Sequence, residues 1–532
     1  MIHGPRPTAL LVPVLLALSA VPGAQLPDQK LTDAQPSLLD QFGLAVAASG
    51  NRVIVGVPGA DLPVPGGGGA RVYARTPAGW VAEPFTQPAS LTPDVHAGAA
   101  VALDADLAAL GAPVDDLAGT DAGAVYLYRR GPAGWFLEEV VRAGPPVPGQ
   151  RFGASVALSE GRLVAGAPRE DAGGASAGAA YVFETGPFGW TQTARLDGAA
   201  AGDQLGFDVD FSGGTIVLGA PFANGSAGAV HVFEETPAGW VPGAVLDGGG
   251  TGAARFGYAV ALAELTLAVG APDAQPGGVS SGAVHVFERS PAGWSETALL
   301  AGSNASTGDD FGQAVALDAG LLVAGAPHDS TEAFFWSGEA YLFERTPQGW
   351  VQRERFVDDV PEAKEKFGQA VGIAGGLAVV GVPEDDALAP AAGAAWIFDR
   401  RTLRGEPLTA GLTAGGVQSF ELEAGAEHAG LPYLFLGTLA GTDPGLPLDP
   451  ATVLPLNPDA YTLALLGSLG APLAGGSGVL DAAGRAAASF TLPQGLSPNL
   501  LGLVLHHAYV VLDFNQGTLE HASNPVPLQL VL

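Results

Sequence analysis

A pattern of 51 to 56 residues occurs seven times in this chain, and it constrains the fold more than any other feature. Each copy reads roughly F-G-x-x-V-A-L, a tight turn, L-x-V-G-A-P, a polar loop, G-A-x-x-V-F and a P-x-G-W turn. The glycine of the first motif recurs at Gly43, Gly98, Gly153, Gly206, Gly257, Gly312 and Gly368. The proline of the second recurs at Pro58, Pro113, Pro168, Pro221, Pro272, Pro327 and Pro383. Two columns that share one spacing identify a true repeat array.

Each repeat contains four short segments that are typical of β-strands. Apolar or alternating runs are separated by turns that contain Gly, Asn or Asp, which is the pattern of antiparallel hairpins. The third run ends in an aromatic residue shortly before the tryptophan, and a fourth, weaker run follows that tryptophan. Four strands per repeat form the blade of a β-propeller. The sequence therefore predicts an all-β fold with a seven-bladed propeller.

The seventh repeat is incomplete at its end. It begins at Phe367 and stops after Phe398 without a P-x-G-W turn or a fourth strand. A matching segment, Gln29 to Thr32, stands at the other end of the repeat array, before the first F-G pair. We predict that this N-terminal strand completes the last blade and closes the ring, because closure removes exposed sheet edges.

The paired F-G and G-A-P motifs resemble FG-GAP repeats, which form the N-terminal propeller of integrin α-subunits and occur in many secreted bacterial proteins. The resemblance covers residues 27–402 and implies a seven-bladed propeller used for extracellular binding. Many FG-GAP blades carry an Asp-rich calcium loop between the first two strands. Here those turns hold short sequences such as Ser49-Gly50-Asn51, which lack the six or more oxygen ligands that calcium takes. We therefore predict no calcium site of the family type, and we assign no metal ligands and no cofactor.

The segments outside the repeats predict export and a second domain. Residues 1–24 combine Arg6, an apolar stretch and small residues near Ala24, which indicates a signal peptide. We expect a secreted or extracytoplasmic protein, at the cell surface or in the periplasm, with no membrane span after signal removal. Residues 403–532 are rich in Leu, Ala, Gly and Pro, and their short apolar runs predict a small C-terminal β-sandwich.

Charge and cysteine content exclude several classes of function. The chain has 54 acidic and 23 basic residues and a formal net charge of −31. Nucleic-acid binding depends on clustered Lys and Arg, so we expect no nucleic-acid partner. The same charge opposes docking on anionic lipid. The chain has no cysteine, which rules out disulfides and thiol catalysis.

A polar column lies three residues after each closing proline. Its members are Asp61, Asp116, Asp171, Asn224, Gln275, Ser330 and Asp386. Further acids, including Asp329, stand beside it. One interpretation is that each side chain caps its own loop through an Asx-type turn. The other is that the carboxylates form a ring on one propeller face and recruit a cation or a polar ligand.

The loop of the sixth repeat differs from the others because it holds Phe334, Phe335 and Trp336 in succession. Aromatic residues in a surface loop often mark a contact patch for a sugar ring or a protein anchor. The alternative is that the three rings fold inward over the blade. We take these three residues, with Asp61, Asp116, Asp171, Asp329 and Asp386, as the candidate ligand-binding set.

Together these features predict a binding or adhesion protein whose propeller-face loops contact an extracellular protein or polysaccharide. No G-x-S-x-G elbow, P-loop or H-E-x-x-H motif is present, so we predict no catalytic residues and no enzyme activity. Two alternatives stay open. One is a polysaccharide lyase or hydrolase on a propeller scaffold, and the other is a purely structural component of the envelope.

Overall fold

The computed structural model describes residues 24–25 and 29–531 apart from several gaps. The gaps in the repeat array are 63, 77–78, 87–92, 250–253, 319, 331–334, 347, 359 and 400–402. Those nearer the C-terminus are 407–408, 412, 414, 425–427, 440–445, 448–452, 455, 457–472, 483, 496, 498–499, 502, 514–517 and 524–525. The predicted signal peptide therefore lies almost wholly outside the described residues, as does Phe334.

The repeats form successive antiparallel sheets of four strands, numbered here sheet 1 to sheet 7, each with an inner, second, third and outer strand. Sheets 1 and 2 comprise Val46–Ser49, Arg52–Gly56, Ala70–Thr76 and Gly79–Ala82, then Ala100–Asp104, Leu107–Ala112, Ala124–Gly131 and Gly134–Val141. Sheets 3 and 4 comprise Val156–Ser159, Arg162–Ala167, Ala179–Gly186 and Gly189–Asp197, then Val209–Ser212, Thr215–Ala220, Ala229–Thr236 and Gly239–Leu246.

Sheets 5 and 6 follow the same plan. Their strands are Ala259–Ala263, Thr266–Ala271, Ala283–Ser290 and Gly293–Leu300, then Ala314–Asp318, Leu321–Ala326, Glu339–Thr346 and Gly349–Phe356. The two residues Ala24–Gln25 pair in parallel with the outer strand of sheet 6. The helices among the described residues are single turns, Ala223–Ser226 and the 3-10 turn Pro276–Gly278. The chain is therefore all-β, as predicted.

Sheet 7 is built from both ends of the repeat array. The chain supplies Ala370–Ala374, Leu377–Val382 and Ala394–Asp399, and the outer position is taken by Gln29–Leu31. Lys30 is paired with Trp396 and Leu31 with Ala395, in antiparallel register. The side chain of Leu31 is only 3% exposed and packs in an apolar cluster that also contains residues of sheets 1 and 7.

Each sheet contacts the next at a pair of glycines, one from the G-A-P motif and one from the F-G motif, and this contact recurs once in every repeat. A Cβ on the G-A-P glycine would lie about 2 Å from the carbonyl oxygen of the F-G glycine in the following repeat. The pairs are Gly56–Gly98, Gly111–Gly153, Gly166–Gly206, Gly219–Gly257, Gly270–Gly312, Gly325–Gly368 and Gly381–Gly43. The last pair brings sheet 7 against sheet 1 in the same way as the other six.

Aromatic and aliphatic side chains fill the space between neighbouring sheets. One cluster combines Ile54 and Val72 of sheet 1 with Leu110, Tyr126 and Trp135 of sheet 2. Comparable clusters contain residues of each following pair of sheets. Burying these side chains contributes on the order of 1.5–3 kcal/mol each. The repeated core therefore holds the array together without disulfides.

The C-terminal residues form two further sheets over one apolar core. The first has the order Leu403–Glu406, Gly416–Glu423, Arg485–Leu492 and Leu473–Ala474. The second has the order Thr409–Gly411, Val526–Val531, Val504–Asp513, Pro432–Thr438 and Ser477–Val479, with Thr518–Ala522 beside Val504–Asp513. A short ladder joins Leu446–Pro447 to Val453–Leu454. Phe420 and Phe490 of the first sheet share a core with Phe435 and Tyr509 of the second.

Candidate functional site

The four exposed aspartates of the polar column cap their own loops. In each case the carboxylate accepts a hydrogen bond from the backbone N–H five residues later. The donor and acceptor pairs are Gly66–Asp61 at 2.9 Å, Asp121–Asp116 at 2.7 Å, Ser176–Asp171 at 2.7 Å and Ala391–Asp386 at 2.6 Å. These bonds give the four carboxylates a structural role, as the first interpretation of the column predicted. None of the four belongs to the one described cluster of three acids close enough to hold a metal ion.

Asp329 differs from these four because it is buried beneath its loop. It belongs to an inner column, two residues after the closing proline, with Asp115, Glu170 and Asp385, and all four are at most 3% exposed. A tyrosine of the third strand donates to three of these carboxylates: Tyr126 to Asp115 at 2.6 Å, Tyr181 to Glu170 at 3.1 Å and Tyr341 to Asp329 at 2.6 Å. The inner column anchors the loops to the sheets, and Asp329 is not available to a ligand at the surface.

Sheet 6 holds two buried carboxyl groups side by side. The Tyr341 hydroxyl lies 2.6 Å from Asp329 Oδ2 and 3.0 Å from Glu339 Oε2, and the Asn304 amide nitrogen lies 3.3 Å from both carboxylates. Arg355 forms an ion pair with Glu339 at 3.2 Å. Burial, reinforced by the charge of Glu339, raises the pKa of Asp329 to about 7, and burial also raises the pKa of Glu339.

We expect the protein to lose stability as the pH rises from 6 to 8. A carboxyl group whose pKa is raised by folding favours the folded state while it is protonated. Its contribution is complete below its usual pKa near 4 and is lost as the pH passes its folded value. Asp329→Asn keeps the hydrogen-bonding shape without the charge, so its melting temperature should fall less than that of the wild type over this range. An unchanged slope in the variant would contradict the assignment.

Sheet 7 places a lysine where the other sheets place an arginine or no cation. Asp358, Glu365 and Asp385 have carboxylate oxygens within 4.8 Å of one another, and all three are buried. Lys30 Nζ lies 2.5 Å from Asp385, and Trp396 donates its indole N–H to Asp358 at 2.9 Å. Burial raises the pKa of Glu365 to about 8, with the charges of Asp358 and Asp385 adding to it. The ammonium group of Lys30 thus supplies the cation of this cluster.

Two further acids occupy positions that are alanine, serine or glycine in the other repeats. Asp208 and Asp210 lie on the inner side of sheet 4 and accept hydrogen bonds from sheet 5, from Val260 N–H at 2.8 Å and Leu262 N–H at 2.6 Å. Burial between the two sheets raises the pKa of Asp208 to about 7 and that of Asp210 to about 6, although each side chain keeps some exposure. Both acids link neighbouring sheets, a role that the sequence analysis did not predict.

Phe335 and Trp336 form an exposed aromatic pair on the loop of sheet 6. Their rings are stacked at 4.4 Å, and their side chains are 58% and 37% exposed. The ring of His328 meets that of Trp336 edge to face at 5.1 Å, and its Nδ1 lies 2.8 Å from Asp310. These two aromatic residues therefore do not fold inward. We call Phe335, Trp336 and His328 the aromatic patch.

The backbone at Trp336 is left-handed, with φ = 57°. Small or polar residues occupy the corresponding left-handed position in five other repeats: Gly66, Asp121, Ser176, Ser226 and Ala391. A bulky side chain is rare in this conformation, which costs on the order of 1–3 kcal/mol where the surrounding structure enforces it. Such local cost concentrates at functional positions, and here it falls on the loop that presents the stacked pair Phe335–Trp336. The unusual residue type at Trp336 becomes apparent only when the repeats are aligned by their backbone φ angles.

The chain matches the family profile described as FG-GAP repeat six times, at residues 86–128, 135–183, 190–233, 245–287, 294–343 and 350–398. These matches cover more than half of the chain, which therefore belongs to the FG-GAP repeat family. Five of the six matches begin within the outer strand of one sheet and end within the third strand of the next, and the first begins at residue 86, beyond the outer strand of sheet 1.

Other comparisons add little. No match is found among curated proteins. One solved structure, "Crystal Structure of Mitotic Checkpoint Complex", aligns over 75% of this chain and 96% of that chain at 10% identity and a TM-score of 0.43. That likeness is too weak to carry an argument. No helix in the described part of the chain is long and apolar enough to cross a membrane.

Proposed function

We propose that this FG-GAP protein is an exported binding or adhesion protein of bacterial type that contacts a protein or glycan ligand through the aromatic patch. FG-GAP repeats are typical of extracellular proteins, and the N-terminal segment has the composition of a signal peptide. We infer that the seven sheets are blades of a closed propeller and that residues 403–532 are a β-sandwich. The seven glycine joints and the shared C-terminal core support this architecture.

The observation that carries the proposal is the exposed, stacked pair Phe335–Trp336 on a left-handed backbone. The capped aspartates of the other loops already have backbone partners, so their repetition has a structural explanation. The aromatic pair has no such explanation, because Phe335 leaves more than half of its side chain in contact with water. Exposed aromatic residues are enriched among the side chains that dominate binding interfaces.

We propose a binding role without catalysis. The acids of the two columns after the closing prolines either accept backbone amides or are buried under the loops with tyrosine or lysine partners. Such carboxylates contribute to the fold through bonds they already make. The polysaccharide-acting enzyme stays the alternative, and release of sugar ends from a bound polysaccharide would distinguish it from simple retention.

Trp336→Gly is expected to separate binding from folding. Glycine occupies the same position at Gly66, and it adopts the left-handed conformation without steric cost. Relief of that cost should offset the loss of the half-exposed ring, so we expect a change in unfolding free energy within about 1 kcal/mol. Loss of a central aromatic contact should weaken ligand binding by roughly 30-fold, equivalent to about 2 kcal/mol.

The test compares wild type, Trp336→Gly and Phe188→Ala in retention on a panel of polysaccharides and extracellular-matrix proteins, with released sugar ends measured in parallel. Phe188 is the matched control, since it is a fully exposed phenylalanine in a turn of sheet 3, outside the patch. Retention that survives Trp336→Gly in a folded protein would remove the aromatic patch from the binding role.

A further inference from the structure

The three lysines of this chain have distinct positions, and two of them border the aromatic patch. They are Lys30, Lys364 and Lys366. Lys30 is paired with Asp385, and Lys366 Nζ lies 2.6 Å from Glu384. Lys364 is exposed, and no described carboxylate lies within ion-pair distance of it. Its backbone N–H donates to the carbonyl oxygen of Phe335 at 3.0 Å. Lys364 therefore places an exposed side chain, with no ion pair to the carboxylates that the structure describes, on the loop whose backbone contacts Phe335.

Lys364 also occupies a left-handed backbone position, with φ = 73°. The corresponding residue is glycine in three other repeats, Gly149, Gly202 and Gly308 with φ between 81° and 89°, and it is Leu39 (φ = 64°) and Asp94 (φ = 59°) in two more. Lys364 and Trp336 thus stand at neighbouring left-handed positions of the repeat, and of the two only the Trp336 position holds small or polar residues in all the other repeats where it is left-handed. Trp336 is the residue that departs from the repeat pattern, and Lys364 is the exposed cation on the loop that contacts its neighbour Phe335.

We propose that the aromatic patch and Lys364 together bind a sugar residue that carries one carboxylate, such as a uronate. The proposal rests on the function proposed above and names its ligand class. The exposed faces of Phe335 and Trp336 suit the flat apolar face of a sugar ring. The ammonium group of Lys364 suits a carboxylate, through a charge-assisted hydrogen bond. His328, whose Nδ1 is held by Asp310, borders the rings and adds a polar group at their edge.

The negative net charge of the chain favours a ligand that carries few negative charges. With −31 overall, a long polyanion would meet repulsion from much of the surface. At physiological ionic strength the screening length is about 8 Å, so a single carboxylate at the patch responds mainly to Lys364, Lys366 and their neighbours. A neutral sugar could accept an ordinary hydrogen bond from the Lys364 ammonium group but would not gain the stronger charge-assisted one. A single carboxylate on a sugar ring fits the one exposed ammonium group of Lys364 and the acidic surroundings.

The experiment measures binding of uronate disaccharides to the full chain by calorimetric titration at about physiological salt. Each disaccharide with one uronate is compared with its carboxyl-reduced neutral form, for example cellobiouronic acid with cellobiose. We expect the acidic member of at least one pair to bind tenfold or more tightly than its neutral form. Lys364→Gln should remove this preference and leave the affinity for the neutral sugar unchanged. Trp336→Gly should weaken the binding of both.

Matched controls separate this inference from the proposed function. Lys366→Gln changes a lysine already paired with Glu384, so it should reduce the preference much less than Lys364→Gln. Equal affinity for acidic and neutral sugars, with no effect of Lys364→Gln, would overturn the inference and leave the patch as a binding site. If no disaccharide of the panel binds, the inference also fails, and retention of wild type against Trp336→Gly on larger ligands decides the proposed function. Tighter binding of an acidic peptide than of any uronate would likewise overturn it.

Discussion

Removal of the N-terminal strand is expected to destabilise the repeat array more than any single substitution. A chain that begins at Thr32 lacks Gln29–Leu31, so the third strand of sheet 7 loses its hydrogen-bonded partner. It also loses Lys30, which leaves Asp385 buried without its cation and close to Asp358 and Glu365. Breaking a buried ion pair by removing one partner costs about 3–5 kcal/mol. Exposing the site of Leu31 adds roughly 1.5–3 kcal/mol.

These losses predict a fall in melting temperature of roughly 5–10 °C, with aggregation through the newly exposed edge of sheet 7. The control is a chain that begins at Pro27 and keeps the strand, which should melt like the longer protein. Lys30→Gln keeps the strand pairing and should give an intermediate value. Addition of a synthetic peptide of residues 27–35 should partly restore the shortened chain. Equal melting of the two truncated chains would show that the strand does not support the fold.

The repeat pattern predicted the strands well because a tight turn and an alternating run have local physical causes. The repeat locates the glycines of both motifs, and the structure pairs each G-A-P glycine with the F-G glycine of the next repeat. The segment predicted to supply the outer strand of the seventh repeat, Gln29 to Thr32, pairs with that repeat over Gln29–Leu31. Periodicity alone could find it because the segment matches its counterparts in the other six repeats.

The candidate site was less predictable because its features depend on contacts between distant residues. The exposed aspartates share one column in the sequence, and only hydrogen-bond geometry shows that Asp61 and Asp386 serve their own loops. Asp329 stands next to that column in the sequence but is buried under the loop. The position of Lys364 beside Phe335 follows from pairing between two loops, and its left-handed backbone has no signature in residue type.

Closure of the ring can be tested at the glycine joints. Gly325→Ala would put a Cβ 1.9 Å from the carbonyl oxygen of Gly368, and the obstacle is backbone that cannot rotate away. The sheets must separate to admit the methyl group, so we expect a loss of about 3 kcal/mol or more in unfolding free energy. Gly186→Ala is the control, because the nearest atom to its added Cβ is 3.7 Å away, and its effect should stay within about 0.5 kcal/mol.

Gly381→Ala decides whether the seventh sheet meets the first as the other sheets meet their neighbours. Its Cβ would lie 1.9 Å from the carbonyl oxygen of Gly43, the same distance as at the joint of sheets 6 and 7. In a closed ring no sheet can move aside without straining the other joints, so the losses at Gly381 and Gly325 should agree to within about 1 kcal/mol. In an open array the two end sheets could part at little cost, and Gly381→Ala would behave like Gly186→Ala. Denaturant unfolding of the three variants measures the difference directly.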